Sequence, residues 1–225
     1  LGSLNVTFTA TDTSGLQSIV DVNVTVEDTS EPLLASVSNI TVSLNASGVG
    51  VVSVSDVLAT VSDNCQVALM SVNQSVFTCS HLGSLRGSLN ATDQSGNTNE
   101  TSYDVFIVDE IAPTLTAYNF TVQLNSSGLA TIVFGDVVNS TWDNCAVVTR
   151  ELSRYDFNCN DTSAPVNVSA WVVDSSGLST STYAFVTVLD VENPVVTAIA
   201  SIELFLNASG EATLNSSTAT SSTSD

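Results

Sequence analysis

The segment Asn119-Phe-Thr-Val-Gln-Leu-Asn-Ser-Ser-Gly128 decides how the chain is read, because it is written twice. Its earlier form is Asn39-Ile-Thr-Val-Ser-Leu-Asn-Ala-Ser-Gly48. The match continues downstream of both copies. Trp142-Asp-Asn-Cys145 answers to Ser62-Asp-Asn-Cys65, and Phe157-Asn-Cys159 to Phe77-Thr-Cys79. Val172-Val-Asp-Ser-Ser-Gly177 answers to Ala91-Thr-Asp-Gln-Ser-Gly96, and Val186-Thr-Val-Leu-Asp190 to Val105-Phe-Ile-Val-Asp109. Self-similarity at such a period is the mark of a tandem array.

Asp12, Asp93 and Asp174 recur at intervals of 81, as do Pro32, Pro113 and Pro194. Residues 1–31 therefore read as the C-terminal part of a truncated repeat. Residues 32–112 and 113–193 are two complete repeats, and 194–225 is the N-terminal part of a further one. That last piece carries Ile202, Leu204, Leu206 and the turn Asn207-Ala-Ser-Gly210, and Asp225 stands where the next Asp-Asn-Cys would begin. Two arrangements account for such ends. The 225 residues are a window on a longer chain, or the head and tail of successive molecules complete one sandwich by strand addition. The two pieces together still lack a counterpart of Asn64–His81, so the window is preferred.

Inside each repeat the apolar residues alternate. Leu4, Val6, Phe8 and Ala10 do so, as do Val20, Val22, Val24 and Val26; so do Ile40, Val42 and Leu44, and Tyr103, Val105 and Ile107. The next copy repeats the pattern with Phe120, Val122, Leu124 and with Ala184, Val186, Val188. A period of two with β-branched residues predicts half-buried strands. Val52 and Val54, and later Ile132 and Phe134, read as further strand residues, and the Cys65–Cys79 segment reads as a hairpin. Nothing reads as a helix. About seven short strands per repeat define the expected fold class as all-β, tandem immunoglobulin-like β-sandwich repeats of about 81 residues. A core of that size is thin, and a disulfide is the usual supplement.

The chain has 225 residues, a formal charge of −20 and three cationic side chains, Arg86, Arg150 and Arg154. Almost no cation is present to neutralise phosphate, which excludes a nucleic-acid partner and argues against anionic membranes. No apolar run approaches the roughly 18 residues needed for a membrane span. The cysteines are Cys65, Cys79, Cys145 and Cys159, and both close pairs lie 14 positions apart. Four cysteines allow three connectivities. Repetition selects Cys65–Cys79 and Cys145–Cys159, each worth roughly 3 kcal/mol in the chain-entropy model. Free buried thiols are the alternative; zinc lacks a His or second Cys at ligand spacing.

Fourteen Asn-X-Ser/Thr sequons are the densest chemical signal: Asn5, Asn23, Asn39, Asn45, Asn73, Asn90, Asn99, Asn119, Asn125, Asn139, Asn160, Asn167, Asn207 and Asn215. Asn45, Asn125 and Asn207 hold one turn position; Asn5 with Asn167, and Asn39 with Asn119, hold equivalent positions too. Recurrence at fixed places argues for N-linked glycans and hence for the secretory pathway. The Ser/Thr-rich tract 216–224 is a weaker O-glycan candidate, on composition alone.

Carboxylates gather where repeats meet: Glu27, Asp28 and Glu31, then Asp109 and Glu110, then Asp190 and Glu192. With Asp12, Asp93 and Asp174 they could bind Ca²⁺, but the spacing matches no defined calcium loop. The preferred reading makes those three aspartates acceptors for turn N–H groups before Ser-Gly, and the junction acids a solvated linker. Trp142 and Trp171 belong to the second complete repeat only, and His81 is the one histidine. No nucleophile, base and orienting group recur together, so no catalytic residue is assigned and no enzyme is expected.

Ser62-Asp-Asn-Cys65, Phe77-Thr-Cys79, Ala91-Thr-Asp-Gln-Ser-Gly-Asn97 and Val105-Phe-Ile-Val-Asp109-Glu-Ile-Ala-Pro113 resemble the hyalin-type (HYR) repeat and related immunoglobulin-like repeats. The resemblance covers the whole chain, although Ser-Gly-Asn becomes Ser-Gly-Leu at Leu16 and Leu178. It implies a secreted, adhesive or load-bearing, non-enzymatic surface protein, by analogy of fold. The expectation is a glycosylated structural subunit of an extracellular fibre or appendage, its partners being neighbouring copies of itself. The alternative is an adhesion or receptor ectodomain with a specific protein or glycan ligand, for which Trp142, Trp171, Arg150 and Arg154 would form the patch.

Overall fold

Strands occupy the alternating segments. In the computed structural model, which describes residues 2–215 and 220–224, all sheets are antiparallel apart from two parallel pairings, Asn39–Ser43 with Thr98–Val108 and Phe120–Gln123 with Ser179–Leu189. The chain divides into two compact units. The first comprises Leu1–Ile111 with Asp143–Ala146, and the second Ala112–Trp142 with Val147–Asp225.

In the first unit, strands Asn39–Ser43, Thr98–Val108, Gly83–Asp93 and Val67–Val72 lie side by side in that order. Asn39–Ser43 runs parallel to its neighbour, with Val42 beside Ile107. Two ribbons make the facing layer: Leu33–Ser36 with Leu58–Ser62, and Val49–Val51 with Val76–Thr78. The sheet sends Val42, Leu89, Ala91, Tyr103, Val105 and Ile107 inward. The ribbons and their connections answer with Leu34, Val52, Val57 and Phe77. This is the alternation expected of two inner faces in a sandwich. The second unit repeats the plan with Phe120–Gln123, Ser179–Leu189, Val166–Asp174 and Val147–Leu152. Val168, Val172, Val186 and Val188 fill its core.

Three expectations are corrected. The Cys65–Cys79 segment is not a hairpin. Val67–Val72 pairs with Gly83–Asp93, whereas Val76–Thr78 crosses to Val49–Val51. The helix-free reading also fails locally. Val54–Val57 and Phe134–Val137 are single helical turns, so Val54 and Phe134 are not strand residues. The cause lies three residues in: Asp56 accepts the Ser53 N–H and O–H, each at 2.7 Å, and Asp136 accepts the Val133 N–H at 2.7 Å. A carboxylate at that place closes the first turn. Cys79–His81 and Cys159–Asp161 form 3-10 turns. Finally, Gly2–Thr11 and Gln17–Val26 pair with each other, Gly2 with Val26 through Thr11 with Gln17, but the face expected to be half-buried is open. Leu4 is 63% and Phe8 56% exposed, because no other described strand joins this hairpin. Ile202, Leu204 and Leu206 are exposed coil. Residues 1, 216–219 and 225 lie outside the described residues, and with them part of the O-glycan tract and the Asp225 counterpart of Asp63 and Asp143.

One core pair shows how the two copies conserve volume. Gly87 stands opposite Tyr103; 81 residues on, Val168 stands opposite Ala184. The large ring in one copy is matched by a missing side chain, and the small alanine by a valine. A Cβ on Gly87 would lie 2.5 Å from the Tyr103 ring, which is itself buried. Gly87→Ala is expected to lower the stability of the first unit by about 1–3 kcal/mol, the usual cost of overpacking. Urea unfolding monitored by tyrosine fluorescence checks it, and an unchanged midpoint would contradict this packing.

Candidate metal centre and disulfide staple

The loop Ser62-Asp-Asn-Cys65 brings carboxylates together by first tying each of them to backbone. Asp63 Oδ2 accepts the N–H groups of Cys65 and Gln66 at 2.8 Å each. Asp28 Oδ1 accepts the Ser30 N–H and the Asn64 amide, both at 3.0 Å. Asp93 Oδ1 accepts the N–H groups of Ser95 and Asn97 at 2.8 Å, and its Oδ2 the Asn97 amide. Asp12 and Asp174 make the same turn, through Ser14 and Leu16, and through Ser176 and Leu178. The expected role of these three aspartates as turn acceptors therefore holds. For Asp93 it is only half of the role.

The carboxylates of Asp28, Asp63 and Asp93 also lie close together, each presenting an oxygen within 4.8 Å of the others. Asp28 Oδ2 and Asp63 Oδ1 are buried and have no hydrogen-bond partner. The Asn64 amide, followed by the Ser30 N–H, holds Asp28 below the ordinary carboxylate value. Burial pushes Asp93 up, but hydrogen bonds from Asn97, Ser95 and Gly96 outweigh it and its pKa also lies low. Both groups thus keep their charge at neutral pH. The Cys65 thiol beside them is pushed up, with the neighbouring Asp28 carboxylate as the largest cause and burial next. The set is a cage of hard oxygens of the kind that suits Ca²⁺.

The same loop in its second copy also belongs to the first unit. Asn144 donates to Asp109 Oδ1 at 2.9 Å, as Asn64 does to Asp28, and Asp143 Oδ2 accepts the Cys145 N–H at 2.9 Å. Asp109 is 7% exposed, and its Oδ2, Asp143 Oδ1 and Asn144 Oδ1 are all buried without partners. In the second unit Asp174, 1% exposed, leaves its Oδ2 unpaired. The sequence flagged Asp28, Asp93 and Asp109 but passed over Asp63 and Asp143. Their signal was present in the recurring Asp-Asn-Cys, read there for its cysteine alone.

The cysteines depart from expectation. Cys79 is bonded to Cys145, 66 positions away, and neither Cys65–Cys79 nor Cys145–Cys159 forms. The Cα atoms of the bonded pair are 5.4 Å apart, within the usual range. Without the hairpin, the strands after Cys65 and before Cys79 lie in different sheets, and equal spacing no longer implies contact. Cys79 instead opens a 3-10 turn against Gly48, whose φ is +70° and whose missing side chain makes the room. A Cβ there would meet Asn144 O at 2.6 Å and Cys79 Sγ at 2.8 Å. Gly128 repeats the cradle, with a Cβ position 2.7 Å from Cys159 Sγ. Cys65 and Cys159 are exposed free thiols here, the unmatched counterparts of Cys145 and Cys79.

The sequons sit mostly on the surface: twelve of the fourteen asparagines are exposed, while Asn90 and Asn99 are half-buried. At Asn45, Asn125 and Asn207 the side-chain oxygen accepts two turn N–H groups, from Ser47 and Val49, Ser127 and Leu129, and Ser209 and Glu211. Asn99 donates its amide to Pro32 O at 2.9 Å. The suggested ligand patch is not assembled. Trp142 and Trp171 lie in different sheets, and Arg154 is paired with Asp161 and stacked over Phe157. Arg150 bonds Val147 O. His81 accepts the Thr78 N–H at 3.0 Å, closing its own turn. No described helix is long and apolar enough to cross a membrane.

No protein-family model matches the chain, and no curated protein matches it. Solved structures do. Protocadherin gammaB7, in an EC3-6 cis-dimer structure, is 15% identical, with 93% of this chain aligned to 63% of that one at a TM-score of 0.34. Extracellular cadherin domains 1-5 of protocadherin gamma B2 are 14% identical over 86% of this chain and 47% of theirs, at 0.34. The human mucin-like protocadherin EC1-2 is 10% identical over 70% and 98%, at 0.32. This chain thus spans 63% and 47% of the lengths of the first two. Identity this low and superposition this loose say nothing of ligand or role.

Proposed function

We propose that the chain is part of an extracellular, N-glycosylated, load-bearing stalk of a fibrous or adhesive surface protein, built from repeats of the hyalin type. The observation that carries this reading is the Cys79–Cys145 bond. It joins the second cysteine of one 81-residue period to the first cysteine of the next, so force along the chain bypasses the 66 positions between them. A bond inside one repeat would leave the connection between periods as plain peptide. The acidic, sugar-accepting surface supports the same reading, since it favours solubility and spacing over burial against a partner. The ligand-binding alternative has less support, because its four candidate residues are dispersed or already paired.

Single-molecule stretching tests the load-bearing role. Under oxidising conditions the unfolding of this chain is expected to release about 220 Å less contour length than after reduction, from 66 residues at roughly 3.4 Å each. Equal lengths would reject it. Glycopeptide mass spectrometry of the secreted chain tests the coat. Glycans are expected at Asn45 and Asn125, where the amide nitrogen is left to solvent, and none at Asn99, whose amide is turned inward. Occupied Asn99 with bare Asn45 and Asn125 would overturn that assignment.

A further inference from the structure

We infer that Asp28, Asp63 and Asp93 form a binding site for a hard divalent cation of the calcium class, and that Asp109 and Asp143 belong to its repeat in the following period. The inference rests on the acid geometry and not on the load-bearing role, so either can fail alone.

The first argument is charge. Three carboxylates lie within 4.8 Å of one another, and among the described residues the one ion pair of the chain, Arg154–Asp161, is elsewhere. With no lysine and three arginines in the sequence, side-chain cations are scarce, and among the described residues none forms an ion pair with this cluster. Oxygens that share one Ca²⁺ at about 2.3–2.6 Å lie no more than about 5 Å apart, which this spacing satisfies.

The second argument is independent of clustering. Buried polar atoms are nearly always paired, and each exception asks for a reason. Asp28 Oδ2 and Asp63 Oδ1 are such exceptions, and both belong to carboxylates of the cluster. The exceptions recur by position. Asp109 and Asp143, the counterparts of Asp28 and Asp63, leave Oδ2 and Oδ1 buried and unpaired, with their carboxylates within 4.8 Å. Asp109 is more than nine-tenths buried. The partner oxygen of each carboxylate is fixed by backbone or by Asn64 or Asn144, so the free oxygens are held in place before any ion arrives. Asp12 supplies the contrast: it makes the same turn as Asp93, is exposed, and joins no acidic cluster among the described residues.

The test uses the 225-residue chain after EDTA treatment and dialysis. Titration calorimetry with CaCl₂ is expected to show saturable binding, and the thermal midpoint is expected to rise with Ca²⁺ at matched ionic strength by mass action. Asp63→Asn keeps its turn acceptor and should weaken one class of site by about tenfold or more, since affinity follows the ligand charge count. Asp28→Asn with Asp109→Asn should abolish saturable heat, and Asp12→Asn should change nothing. Absence of both heat and midpoint shift through about 10 mM Ca²⁺, above the weakest extracellular sites, would overturn the inference. So would heat that survives in the Asp28→Asn, Asp109→Asn chain, which would mark diffuse binding to an acidic surface. Should a variant unfold, the unmodified chain still decides: equal midpoints in Na⁺ and Ca²⁺ overturn the site.

Discussion

The bond between Cys79 and Cys145 is the constraint that organises everything around it. It closes a loop of 66 positions, for which the chain-entropy model gives about 4 kcal/mol against roughly 3 kcal/mol for a 14-residue loop. More important is where it acts. It fastens Asp143–Ala146, which the sequence period places in the second complete repeat, into the first compact unit. Asn144 adds hydrogen bonds there, to Asp109 and to the Asn45 carbonyl. Gly48 is required by this arrangement, since both the Cys79 sulfur and the Asn144 carbonyl occupy the space a side chain would take.

The acids depend on the same loop. Asp143 caps the N–H of Cys145, and Asp63 that of Cys65, so the residue that positions each first cysteine also leaves a buried oxygen without a partner. Sulfur and carboxylate chemistry are therefore two faces of the Asp-Asn-Cys motif. The thin sandwiches gain from both. Valine is the commonest residue in their cores, and a thin layer of that kind is marginal for a sandwich of about 80 residues.

Much of the fold was legible. Tyr103, Val105 and Ile107, or Ala184, Val186 and Val188, alternate so regularly that their burial could be read from the text. What failed was pairing. Periodicity tells which face of a strand is buried but not which strand lies beside it. Val67–Val72 and Val76–Thr78 look like a hairpin in sequence, yet join different sheets, and the cysteine assignment fell with them. The one-turn helix at Val54–Val57 hid for another reason: its signal is a single aspartate three residues into a valine-rich run. The candidate metal centre was half legible. Asp28 and Asp93 stood out as recurring acids, but Asp63 lies 35 positions from one and 30 from the other, and only the fold brings the three together.

The central claim is the connectivity of the cysteines. Proteolysis without reduction, followed by mass spectrometry of the crosslinked peptides, measures it directly. The account predicts one crosslinked species containing Cys79 and Cys145, with Cys65 and Cys159 alkylated as free thiols. Crosslinked peptides joining Cys65 to Cys79, or Cys145 to Cys159, would contradict it.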